Sequence, residues 1–126
     1  MKTILAVALG GAIGSIARLL MNNNIVKLTG DGLPWGIFVI NVTGSFLIGL
    51  LIAVFAHFWQ PSQAMRAFLV TGICGGFTTF SSFSLDFANL WERGDMAWAA
   101  GYAVASVAVS VLALFLAMFI VRSVAP

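Results

Sequence analysis

Gly72-Ile73-Cys74-Gly75-Gly76-Phe77-Thr78-Thr79-Phe80-Ser81-Ser82-Phe83-Ser84 lies inside an apolar run of a 126-residue chain. An ordinary membrane helix would carry Leu and Val there. This stretch has three glycines, then Thr, Ser and Phe interleaved. Glycine and β-branched threonine are poor helix formers. Backbone that leaves the helix at membrane depth is tolerated only where protein or a polar cavity surrounds it. The stretch therefore predicts a helix broken at its centre, exposing backbone and hydroxyl groups to an ion or solute.

The rest of the chain supports a membrane setting. It is 61% hydrophobic and 8% charged, where a soluble domain carries about 25% charged residues. So few charges cannot cover a water-facing surface. Six basic and four acidic residues leave a small, dispersed excess that excludes nucleic-acid binding. Cys74 is the single cysteine, so there is neither an intrachain disulfide nor a cysteine metal site. The apolar N-terminal run continues past Leu19-Leu20-Met21 without a cleavage-like Ala-x-Ala. It reads as a retained helix rather than a signal peptide.

Four apolar segments, about 3–21, 35–58, 64–90 and 96–121, each approach the ~20 residues that span a bilayer. The expectation is an all-α membrane protein, a single four-helix domain. Trp35, Trp59, Trp91 and Trp98 fall near segment ends, as interfacial tryptophans do. The first segment contains Gly10-x-x-x-Gly14 and Gly11-x-x-x-Ser15. Such spacing lets helix backbones approach closely, within one subunit or between two. Arg18 reads as a snorkelling side chain or as an anion-attracting vestibule charge.

On the second segment Asn41 and Ser45 share a face, with Gly49 one turn further on. Asn41 is a clamp between helices or a donor lining a pathway. On the third, Phe80, Phe83 and Phe87 form one face, with Ser81 and Ser84 beside it. Asp86 is the one carboxylate well inside an apolar run, and embedded acids are functional suspects. It caps a helix or pairs near the interface, with Arg18 as a candidate partner. On the fourth, Tyr102, Ser106 and Ser110 make a stripe of hydroxyls.

Four spans place Lys2, Arg66 and Arg122 on one side and Arg18, Lys27 and Arg93 on the other. The positive-inside bias that orients membrane proteins is absent. The expectation is insertion in both orientations, which permits an antiparallel, dual-topology homodimer.

Three blocks resemble the signatures of the Fluc (CrcB-type) fluoride channels. They are Gly10 to Arg18 (GGAIGSIAR), Gly36 to Phe46 (GIFVINVTGSF) and Gly72 to Ser84 (GICGGFTTFSSFS). The resemblance covers the whole chain in length, span number and block order. It implies a passive fluoride channel, not an enzyme, in the cell's inner (plasma) membrane. It lowers cytoplasmic fluoride as an antiparallel homodimer with two pathways. It also implies a central structural Na⁺ held by carbonyls at Gly75 and Thr78 of both subunits, and pore phenylalanines at Phe80 and Phe83. Asn41, Ser81, Ser84, Tyr102, Ser106 and Ser110 match polar pathway positions. A small multidrug or guanidinium exporter shares the size and topology. Its chemistry needs an embedded, exchanging carboxylate, and the first segment has no Asp or Glu.

Overall fold

The structure, a computed structural model, describes residues 1–126. Four helices are long and apolar enough to cross a membrane: Lys2–Thr29, Trp35–His57, Gln63–Glu92 and Met96–Val124. We call the first two α1 and α2. The third span divides into α3 (63–77) and α4 (Phe80–Glu92), and the last span is α5 (Met96–Val124). α1 runs through Asn22-Asn23-Asn24, where the sequence suggests a connector, and ends on Gly30 at φ 79°. Polar residues are compatible with a helix that has passed out of the hydrocarbon. Arg18 therefore sits well inside α1 rather than near its end.

Consecutive spans alternate in direction, so α1 runs parallel to the third span and α2 parallel to α5. Glycines set the first pairing. A Cβ on Gly10 would fall 2.9 Å from Gly72 Cα, and one on Gly14 would fall 2.8 Å from Phe77 N. Reciprocally, a Cβ on Gly76 would fall 2.7 Å from the Gly11 carbonyl oxygen. Within one chain Gly10 thus meets Gly72, Gly14 meets Ile73 and Phe77, and the adjacent Gly11 meets Gly76, so backbones touch where side chains would stand.

This contact revises the expected site of the break. The glycines are helical: Ala67–Cys74 is wound as a π-helix and Gly75–Phe77 as α-helix. The backbone leaves the helix at Thr78 (φ −79°, ψ 156°) and Thr79 (φ −153°, ψ 121°). Glycine's low propensity is overridden because α1 packs directly on its backbone. We expect Gly14→Ala to lower the thermal midpoint of the detergent-solubilised protein. Overpacking at such a contact costs about 1–3 kcal/mol. Gly101→Ala is the control, since a Cβ there meets nothing within 4 Å. Equal midpoints for the two variants would refute the close-packing account.

Few side chains are wholly enclosed, Ile40 and Cys74 being the largest. One small core gathers Ile37, Ile40 and Phe77, with Met21 and Phe83 against it. At one end, Arg93 ties two hairpins together. Its Nη2 donates to the Gly32 carbonyl at 2.7 Å and its Nε to Asp95 Oδ2 at 2.8 Å.

Candidate functional site

Thr78 and Thr79 interrupt the helical ladder, so their polar groups need other partners. Asn41 of α2 supplies them. Thr79 N–H donates to Asn41 Oδ1 at 2.8 Å, and Asn41 Nδ2 donates to the Thr79 carbonyl at 3.0 Å. The side-chain amide pairs with the peptide as a neighbouring β-strand would. Asn41 is thus a clamp, and its amide has a second N–H to spare. Gly44, one turn on, leaves the space that the Thr78 methyl fills.

Thr79 also starts α4. Its Oγ1 accepts from Ser82 N–H at 3.1 Å and lies 3.1 Å from Ser81 Oγ. A threonine N-cap three residues before a donor is a readable signal, and the helix resumes at Thr79, where the sequence leads one to expect it. Diverting Thr79 N–H to Asn41 removes the donor that would have continued the ladder to the Gly75 carbonyl. The Thr78 carbonyl accepts no backbone N–H at all. Thr78 Oγ1 and N–H both donate to the Cys74 carbonyl, each at 2.9 Å. Gly75 and Thr78, the two expected cation positions, therefore have carbonyl oxygens free of the helical ladder. Neutral oxygens suit a hard monovalent cation. The chain offers no cluster of His, Cys, Asp or Glu for a softer or more highly charged metal. These neutral oxygens are of the kind a hard cation such as Na⁺ takes.

Beside the break lies an open-sided cavity of about 340 Å³. Asn41 and Ser45 line it from α2, Thr78 and Thr79 from the break, Phe80 and Phe83 from α4, and Ser106 and Ser110 from α5. Five of the expected pathway residues come together here: Asn41, Phe80, Phe83, Ser106 and Ser110. The Phe80 and Phe83 rings are 5.5 Å apart at 46°. Ser106 Oγ and Ser110 Oγ are both buried without a hydrogen-bond partner. Buried hydroxyls are normally satisfied, so these two serines stand out on one face of α5.

The other expected residues stand apart. Ser84 Oγ donates to the Phe80 carbonyl at 3.0 Å, and Ser81 Oγ is bonded to Thr79 Oγ1. Both serines, with Phe80 and Gly75, are exposed on the outer face of the chain. Tyr102 lines an apolar fissure of about 230 Å³ instead. Its hydroxyl donates to Asp86 Oδ2 at 3.2 Å, and its ring lies 5.1 Å from Phe83. Asp86 is thereby engaged across to α5, not by Arg18. Charge complementarity favoured the cation, but Tyr102 on α5 reaches the carboxylate directly. Arg18 has no carboxylate partner, since the chain's one salt bridge is Arg93–Asp95.

These features define a class: a small multi-span membrane protein whose broken third span walls a cavity of hydroxyls, an amide and phenyl rings, with no embedded full charge facing it. The chain matches the CrcB-like protein (Camphor Resistance, CrcB) family over residues 5–118 and belongs to that family. It is 56% identical over 119 residues to a fluoride-specific ion channel FluC of Nitrobacter winogradskyi, covering 94% of both chains. It is 50% identical over 123 residues to FluC of Rhodospirillum centenum and to FluC of Mesorhizobium japonicum, covering 98% of each. These relatives are named as ion channels, not enzymes, in agreement with the sequence-based expectation.

Proposed function

We propose that this protein is a fluoride-selective channel that lets fluoride leave the cytoplasm passively across the inner membrane. The observation that carries the reading is one cavity beside the break lined by Asn41, Phe80, Phe83, Ser106 and Ser110, an amide, two phenyl rings and two serines with no full charge among them. The FluC relatives support the choice of ion.

The chemistry follows from the residues. Fluoride is small and tightly hydrated, so a dry path must replace its water with donors. Serine hydroxyls and the second Asn41 N–H are such donors. Phenyl ring edges carry the positive part of the ring quadrupole. They stabilise an anion without a full charge that would hold it too long, and conduction requires binding weak enough to leave. Arg18 is the charge we assign to a vestibule, where it would raise the local potential for anions. Hydrogen fluoride enters cells as the neutral acid and dissociates, and the membrane potential then drives the anion out.

The pathway is completed by a second, antiparallel copy. Phe80 is 78% exposed, and Ser81, Ser84 and the Gly75 backbone share its outer face. Lipid is a poor cover for hydroxyls and ladder-free carbonyls at mid-span. A two-fold partner would cover them and bring its own Gly75 and Thr78 carbonyls close. A Na⁺ held by those carbonyls would tie the two broken helices together and supply fixed positive charge. An exporter is the weaker reading, because the one embedded carboxylate, Asp86, is taken by Tyr102.

Liposomes containing purified protein, loaded with potassium fluoride and diluted into fluoride-free medium with valinomycin, test the reading. Fast fluoride release on a fluoride electrode, with no chloride release under matched conditions, is expected. Chloride release at a similar rate, or no release, overturns it.

A further inference from the structure

We propose that the apolar fissure between α2, α4 and α5 seats one acyl chain of a phosphatidylethanolamine lipid, with its phosphate on Arg93 and its ammonium on the carboxylates around that arginine. The inference rests on the membrane setting and not on the choice of ion.

The fissure is a slot of about 230 Å³. Phe38 walls it from α2, Leu90 from α4, and Trp98, Gly101 and Ala105 from α5. Trp98 to Ala105 spans about 10 Å of helix, so the slot runs inward along the helix axis. Glycine weakens a helix interior. At Gly10, Gly14, Gly49 and Gly72 it admits a neighbouring backbone. Gly101 admits none, since a Cβ there would meet nothing within 4 Å. Its missing side chain opens the slot to a molecule outside the chain. Trp35 and Trp98 flank the mouth half-exposed, as indoles do at headgroup level. An unfilled slot forfeits dispersion contacts along its lining, and a hydrocarbon chain restores them.

Charge at the mouth selects the headgroup. Arg93 lies one turn beyond Leu90 and binds the Gly32 carbonyl beside Leu33, so it stands over the slot from both hairpins. Its Nε and Nη2 are bonded to Asp95 and Gly32, and Nη1 remains. The Arg93 and Asp95 side chains are 48% and 42% exposed, so each can take a further partner. Asp31 and Glu92 are exposed beside the same two hairpins. With Lys27 in the last turn of α1, this end carries two cations and three carboxylates. A purely anionic headgroup meets more repulsion than attraction there. Phosphoethanolamine offers a phosphate to the guanidinium and a primary ammonium, with three donors, to the carboxylates. Phosphocholine offers the phosphate but has no N–H to give.

Delipidated protein in detergent, given dioleoyl phosphatidylethanolamine, phosphatidylcholine or phosphatidylglycerol in turn, tests the site. Native mass spectrometry should count one phosphatidylethanolamine retained per chain. It should be held roughly tenfold more tightly than either other lipid, the scale of one hydrogen bond to a charged group. The same lipid should raise the thermal midpoint most. Gly101→Phe fills the slot with a ring and should lose both the retained lipid and the midpoint increment. Gly101→Leu, a smaller filler, should repeat that loss and serves if the phenylalanine variant does not fold. Val104→Phe adds bulk at a residue 70% exposed and outside the slot, and should keep both. Unchanged retention in the Gly101 variants, or phosphatidylethanolamine held no more tightly than phosphatidylglycerol, would overturn the site. So would a Gly101 variant that elutes as a smaller assembly, which would give the slot to a second copy of the chain.

Discussion

Phe83→Ile should reduce fluoride efflux from liposomes by about 100-fold or more while the protein still elutes as the same assembly. The ring stands between two others, 5.5 Å from Phe80 and 5.1 Å from Tyr102. It also packs on the core of Ile37, Ile40 and Phe77. Isoleucine keeps much of the apolar volume, so the fold should survive with a loss near 1.5 kcal/mol or less. It has no quadrupole, so it presents no positive edge to an anion. A dry, apolar wall then replaces a weakly attractive one, and about 2.8 kcal/mol of added barrier corresponds to the stated hundredfold. Phe80→Ile should act in the same direction with less effect on stability, because Phe80 is 78% exposed in the single chain. Undiminished efflux in both variants would remove the phenylalanines from the pathway.

The spans were legible in the sequence because hydrocarbon imposes composition: long apolar runs and tryptophans at their ends have few other readings. The break was legible as a region and misplaced in detail. Glycine and threonine propensity marked the whole Gly72–Ser84 stretch, but propensity is a local quantity, and the contact of its glycines with Gly10, Gly11 and Gly14 is not. Once α1 lies on those glycines, the helix holds through Phe77 and the interruption moves to Thr78 and Thr79. Asn41 was readable as a clamp or a pathway donor, but its partner lies 38 residues away, a separation at which no sequence period operates. The same holds for Tyr102 and Asp86. The hydroxyl stripe on α5 was visible as spacing. Its level relative to α2 depends on the Gly49–Leu114 contact, which only packing reveals. The end of α1 was hidden for a different reason: asparagines end an apolar run without ending a helix.

Asn41→Leu should abolish efflux and also lower stability, a double effect that separates it from the phenylalanine variants. Leucine matches the volume of asparagine loosely but can neither accept from Thr79 N–H nor donate to its carbonyl. Each part-buried backbone group left unpaired costs about 1–3 kcal/mol, and the surrounding apolar medium pushes toward the upper figure. The backbone has one local escape. Thr79 N–H can return to the Gly75 carbonyl and extend α3, which would close the break and withdraw that carbonyl from any cation. The spare amide donor of Asn41 is lost as well. Efflux should fall more than about 100-fold, since at least one hydrogen bond to a charged group disappears together with the geometry that aims the rest. Thermal unfolding in detergent with and without Na⁺ then tells the two losses apart. In the wild type, Na⁺ should raise the midpoint if carbonyls freed at the break bind it. In Asn41→Leu that increment should vanish, whereas in Phe83→Ile it should persist. A Na⁺ increment of equal size in all three proteins would show that the amide does not hold the break open, and the coupling of Asn41 to the cation would have to be abandoned.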